Sequence, residues 1–105
     1  MRDILWAIAN VERFTSGMEF EDFNADLRTI HAVTYNFGVI GEASSSIPAA
    51  IRDQHPEVPW YHMRSMRNIV VHVYFGVSVP TLWQTLTEDL APLVDPLQQL
   101  LEQDG

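Results

Sequence analysis

An all-α fold is what this sequence predicts: an antiparallel, up-and-down bundle of four to five helices forming a single domain over residues 1–105. Three observations carry that expectation. Apolar residues recur at three- and four-residue spacing through most of the chain, no stretch alternates at the two-residue period of a strand, and Gly, Pro and Ser clusters punctuate the helical pattern. At 105 residues the chain can bury one core, yet it is small enough that pairing with a second copy would add useful burial.

The first helix is expected from Asp3, a natural N-cap, with Ile4, Leu5, Ile8, Val11 and Phe14 on one face and Gly17 ending it. Phe20-Glu21-Asp22-Phe23 opens a second, with its acids at the positive end of the helix dipole, and one pattern runs on through Leu27, Ile30, Val33, Phe37 and Ile40. Ser44-Ser45-Ser46-Ile47-Pro48 stops it, because serine hydroxyls compete for backbone partners. A short helix follows from Ala49 to Gln54. His55-Pro56-Glu57-Val58-Pro59 reads as extended or turn-like, since each proline pushes its predecessor away from helix. The next helix spans about Trp60 to Val73, and Gly76 to Val79 form a connector. Pro80 starts a last helix carrying Leu82, Trp83, Leu86, Leu90, Leu93, Leu97, Leu100 and Leu101. Pro92 and Pro96 each delete a backbone donor inside that pattern, which predicts a kink or break. Trp6, Trp60 and Trp83 are assigned to the core with the methionines.

Composition narrows the function. Cysteine is absent, which excludes a disulfide framework, a thiolate metal site and a cysteine nucleophile. No apolar run approaches the roughly 20 residues that cross a bilayer, and Met1-Arg2-Asp3-Ile4 is too mixed in charge for a signal peptide. A soluble, cytoplasmic protein is expected. The net charge of -8 argues against indiscriminate binding to polyanions. The charge is uneven, however: no Asp or Glu occurs from Val58 to Thr87, while His62, Arg64, Arg67 and His72 lie inside. All six basic residues are Arg, which suits bidentate phosphate recognition and equally fits a general compositional bias.

That acid-free stretch holds the richest segment, Met66-Arg67-Asn68-Ile69-Val70-Val71-His72-Val73-Tyr74. With a turn of about 100° per residue, Met63, Met66, Ile69, Val70 and Val73 form one apolar stripe. Arg64, Asn68 and His72 follow one another at four-residue steps on the outer arc, while Arg67 and Tyr74, seven apart, share its other flank. Arg67 and His72 are roughly 140° apart around the axis, so a site using both depends on the reach of Arg or on two copies of the helix meeting.

Arg67-Asn68, His72 and Tyr74 resemble the R-x4-H-x-Y signature of the HepT-like proteins, a branch of the HEPN superfamily. The surrounding text matches that family in order: Asp3-Ile4-Leu5, Ile40-Gly41-Glu42-Ala43, His55-Pro56-Glu57-Val58-Pro59-Trp60, Tyr74-Phe75-Gly76-Val77 and Glu88-Asp89-Leu90. The resemblance covers essentially the whole chain. Val73 departs from it, at a position often Gly or polar in relatives. The resemblance implies a HEPN-like homodimer whose motif helices face a shared cleft, and a toxin of a type VII-like toxin–antitoxin pair acting as a metal-independent endoribonuclease with no cofactor. It also implies a minimal nucleotidyltransferase antitoxin that transfers AMP to Tyr74.

On that reading Arg67, His72 and Asn68 are the catalytic residues, Arg64 assists in substrate binding, and RNA is the substrate. His72 moves a proton near neutrality, Arg67 holds the non-bridging phosphate oxygens, and Asn68 orients His72 or the substrate. The alternative is a non-catalytic helical subunit that binds and regulates such a nucleotidyltransferase, which the acidic composition favours. Each residue also has a plainer role: His72 as a packed or surface histidine, Arg67 as an ion-pairing group to Glu57 or an acid of the last helix, Asn68 as a cap of hydrogen bonds within a buried polar patch, Tyr74 as a core-edge aromatic, Arg64 as an exposed arginine. Glu42 either bonds across to the motif helix or is a solvated carboxylate. His31, His55 and His62 lack the close spacing of a metal set.

Overall fold

Side chains and prolines that satisfy or remove the first free amides decide where helices begin, and here they divide the chain more finely than its hydrophobic pattern does. The computed structural model describes residues 2–74 and 79–104, excepting the side chains of 72–74 and 103–104. The helices are α1 (Arg2–Thr15), α2 (Phe20–Asn24), α3 (Leu27–Ser45), α4 (Ala49–Gln54), α5 (Trp60–Tyr74), α6 (Val79–Glu88) and α7 (Ala91–Asp104). No strand occurs among the described residues. The described residues form an all-α fold, with seven helical segments in place of four to five. Of the expected connector, residues 76–78 lie outside the described residues and Val79 already opens α6.

Two breaks account for the count. The helix expected from Phe20 to Ile40 is interrupted at Ala25-Asp26, because Asp26 caps α3: its carboxylate accepts from the Thr29 amide at 3.2 Å and the Thr29 hydroxyl at 2.8 Å. These bonds favour the ionised form and hold the Asp26 pKa below its usual value. Leu27, counted above as inward, becomes the first residue of α3 and is exposed. The second break precedes Pro92. Pro92 thereby occupies the first turn of α7, where a missing N–H costs nothing, while Pro96 sits inside α7 without ending it.

Two expectations for α1 are corrected. Asp3 is not its cap, since α1 already includes Arg2; the carboxylate lies in the first turn, still favourable to the dipole. Trp6 is not core but 56% exposed. Two residues after Ile4 it points about 200° away from it, and Ile4, Ala7, Ile8 and Val11 already fill the inward face. Gly17, with φ +76, closes the turn after α1 as expected.

α3 is the central helix, packed along α1 on one side and α5 on the other. Its Val33, Phe37 and Ile40 are fully buried among Ile4 and Ile8 of α1 and Met63 and Met66 of α5, and the leucines of α6 and α7 close the core. Trp83 is half-buried against Phe23, with ring centroids 5.0 Å apart, and edge-on to Phe20. One polar contact is sealed in the α1–α3 interface: Asn10 donates to Asn36 at 3.2 Å, and Asn36 donates to the Ala32 carbonyl at 2.8 Å.

The start of α5 is fixed by its proline-bounded approach. Val58 is buried, the Trp60 indole N–H donates to the His55 carbonyl at 3.0 Å, and the Pro59 carbonyl accepts from the His62 amide at 3.1 Å. This staple sets the rotation of the motif helix. No helix among the described residues is long and apolar enough to cross a membrane.

Candidate active site

The buried stripe of α5 decides which of its side chains face out. Met63 and Met66 are fully buried and Ile69 and Val70 half-buried, which leaves Arg64, Arg67 and Asn68 exposed. These three line one groove of about 550 Å³ between α5 and α3, whose other wall includes Gly38, Glu42 and Ser45. Tyr61, 78% exposed, stands at the same groove one helical turn before Arg64 and Ser65. His72 and Tyr74 belong to α5, but their side chains, and with them the predicted proton carrier and AMP acceptor, lie outside those described.

Arg67 is the best-anchored of the three. Its Nη2 lies 3.0 Å from Oε1 of Glu42 and its Nη1 donates to the Ser45 hydroxyl at 3.4 Å, both on the last turns of α3. The Ser45 hydroxyl in turn donates to the Gly41 carbonyl at 2.9 Å, as does that of Ser44 at 3.0 Å. Among the described residues the partner of Arg67 is therefore Glu42 and neither Glu57, which pairs with His55 at 3.3 Å, nor an acid of the last helix. Glu42 bonds across to the motif helix, settling the two readings left open above.

Gly41 explains how the helices come this close. A Cβ at Gly41 would collide with Cγ of Arg67 and lie 3.2 Å from its backbone nitrogen, which cannot swing aside. Glycine in a helix interior is unfavourable relative to alanine, so its place here follows from packing rather than propensity. Sequence reasoning reads Gly41 only as part of the family match and Ser45 only as a helix stop; glycine at two positions of a strong helical pattern, Gly38 and Gly41, is the signal of a close approach.

Electrostatically the groove is less basic than the acid-free stretch of sequence suggests, because α3 brings Glu42 against Arg67. Arg64 and Arg67 still give it one more positive than negative charge among its described lining residues. A larger groove of about 920 Å³ continues past Glu42 between α1, α3 and α5, sharing Gly38, Glu42 and Val70 with the first and lined also by His31 and Tyr35. Among the described residues no three His, Asp or Glu side chains converge as a metal site would require.

Comparison with known proteins accords with these features. The profile of the family described as Ribonuclease HepT-like matches residues 4–102, a span holding all seven helices' packing faces and the whole α5 motif. The chain belongs to the HepT-like family. Among its HepT-like relatives is a "Probable ribonuclease HepT" of Thermococcus cleftensis, 43% identical over 100 residues that make up 95% of this chain and 91% of that one. Proteins of Methanocaldococcus jannaschii and Caldanaerobacter subterraneus, carrying RNase names of the same provisional kind, are 36% and 32% identical over 84% and 90% of this chain and 81% and 83% of their own lengths. No solved structure matches the chain significantly. Membership supports ribonuclease activity at the level of the HepT-like family.

Proposed function

We propose that this protein is a metal-independent endoribonuclease, the toxin of a toxin–antitoxin pair, working as a homodimer in the cytoplasm. The observation that carries the reading is the groove in which Arg67 and Asn68 of the family motif converge with Arg64, Arg67 being held from behind by α3. In the reaction, the RNA 2′-hydroxyl oxygen attacks the adjacent phosphorus and the bond to the 5′ oxygen breaks, leaving a 2′,3′-cyclic phosphate. Arg67 binds the non-bridging oxygens as negative charge gathers on them, and Arg64 holds a neighbouring phosphate. His72, one helical turn beyond Asn68, moves the proton, and Asn68 orients it. DNA lacks the attacking hydroxyl and resists.

A second copy brings the two motif helices together. The exposed Tyr35 and Val71 beside the grooves are apolar surface that such pairing would cover. A nucleotidyltransferase partner transfers AMP to Tyr74, two turns from Arg67 on the same flank of α5, so that the added phosphate competes for Arg67 and repels RNA.

The test is expression without the partner, beside Arg67→Ala and His72→Ala, with growth and total RNA followed. Growth arrest with RNA ends carrying cyclic phosphate, lost in both variants, is the expected result. Harmless wild-type expression with Tyr74 unmodified by mass would overturn it in favour of a regulatory binding subunit. Tyr74→Phe is expected to keep cleavage and lose AMP acceptance.

A further inference from the structure

We infer that Glu42 is a positioning residue for Arg67: together with Ser45 it holds the guanidinium at the α3 wall of the groove, with its remaining donors turned to the substrate phosphate. The inference rests on the ribonuclease reading and adds to it a residue outside the motif, 25 positions earlier in the chain and on another helix.

Four features converge on it. The Glu42–Arg67 contact is short, 3.0 Å, and the Ser45 hydroxyl takes a second nitrogen of the same guanidinium, so both Nη atoms are engaged from one side. Ser45 is itself tied to the Gly41 carbonyl, which makes the wall a continuation of α3 rather than a loose side chain. Gly41 lets the stem of Arg67 lie directly on the α3 backbone, so the first part of the side chain is confined as well as its tip. Finally, Glu42 and Arg67 are 69% and 52% exposed as side chains. A pair so exposed contributes little to stability, and a guanidinium has more donors than α3 uses. An anchored Arg with outward donors is a preorganised phosphate clamp, whereas a free surface Arg must be ordered at each turnover.

The carboxylate also sets a limit. It sits beside the group that must bind an anion, so its charge opposes substrate binding while its geometry aids catalysis. The two effects separate in Glu42→Gln, which keeps an acceptor oxygen and removes the charge.

Cleavage of a short single-stranded RNA by wild type, Glu42→Ala, Glu42→Gln, Arg67→Ala and Glu42→Ala/Arg67→Ala tests this, with circular dichroism melts as the control for folding. Glu42→Ala is expected to lower kcat about tenfold to a hundredfold, as for a misplaced catalytic group. Glu42→Gln is expected to restore most of kcat with KM unchanged or lower, and the double variant to be no worse than Arg67→Ala alone. Unchanged or faster cleavage by Glu42→Ala, equal losses in Ala and Gln, or additive losses in the double variant would each overturn the assignment. A wild type that cleaves nothing defeats the ribonuclease reading instead. In that event 15N relaxation at the Arg67 Nε decides: order in wild type and Glu42→Gln with mobility in Glu42→Ala supports positioning, and equal mobility in all three refutes it.

Discussion

α3 makes two polar contacts of opposite character with its neighbours. Toward α1, Asn36 meets Asn10 in a sealed interface, both side chains buried and the chain of bonds running from Arg13 through Asn10 and Asn36 to the Ala32 carbonyl. Toward α5, Glu42 and Ser45 meet Arg67 at the mouth of a groove, charged and open to water. The buried contact constrains how α1 and α3 register. The open one contributes little to folding but fixes the direction of a cation. Polar groups inside a helical interface thus report on specificity of packing, and the same groups at its rim report on chemistry.

The largest expected effect breaks the open contact. Arg67→Ala should lower RNA cleavage about a hundredfold to a thousandfold, as expected when a group that stabilises developing charge is removed. Its unfolding free energy should fall by less than about 1 kcal/mol, because the pair it dissolves is exposed. Cleavage kinetics and urea melts on the same preparation check both. A large stability loss with intact cleavage would reverse the roles assigned to the two contacts.

The buried contact should behave the other way. Asn36→Ala leaves the Asn10 amide without its acceptor in a buried interface and should cost about 1–3 kcal/mol in denaturant melts. Replacing both residues with Leu should recover much of that loss, since a matched apolar pair leaves nothing unsatisfied. Cleavage per folded molecule should be unchanged in either variant.

Gly41→Ala sharpens the comparison, because it strains the open contact through the backbone. The added methyl meets the Arg67 backbone nitrogen and stem, and overpacking of this kind costs about 1–3 kcal/mol. Part of that is offset by the better helix propensity of alanine, about 0.5–1 kcal/mol. The expected outcome is a small loss in thermal stability with a clear loss in kcat, read from one melt and one progress curve.

How legible these contacts are in the sequence depends on what each needs. The course of α5 from Trp60 is readable because two prolines and a 3.6-residue apolar period fix its start and inward face without reference to any other helix. The split before α3 is not: Leu27, Ile30 and Val33 continue the period begun at Phe23, and only the cap geometry of Asp26 shows that the chain restarts there. Periodicity records which residues are apolar, not whether an acid between them caps or rides outside. Arg64, Arg67 and Asn68 are legible as one outward set for the same reason that α5 is. The Glu42–Arg67 pair requires knowing which helices touch, information carried jointly by residues 25 apart. Trp6 shows the converse error, since hydrophobicity alone assigns it to a core that smaller residues already fill.

The smallest expected effect lies at the far end of α3, where Asp26 starts the helix that carries both contacts. Its carboxylate accepts from the side chain and amide of Thr29, which lowers its pKa from the ordinary 3.8. A group whose pKa is lower folded than unfolded stabilises the fold when ionised in both states, fully above pH about 3.8. That contribution disappears as the pH falls through the lower, folded value. Wild type should therefore exceed Asp26→Ala in Tm at neutral pH, and the gap should narrow only below pH 4. Asp26→Asn keeps an acceptor for the Thr29 amide and should fall between the two, with a flatter pH dependence. A gap between wild type and Asp26→Ala that persisted unchanged into strong acid would mean that the cap works through its shape and not its charge. The start of α3 would then be set by hydrogen bonds that the neutral Asp26 side chain still accepts from Thr29.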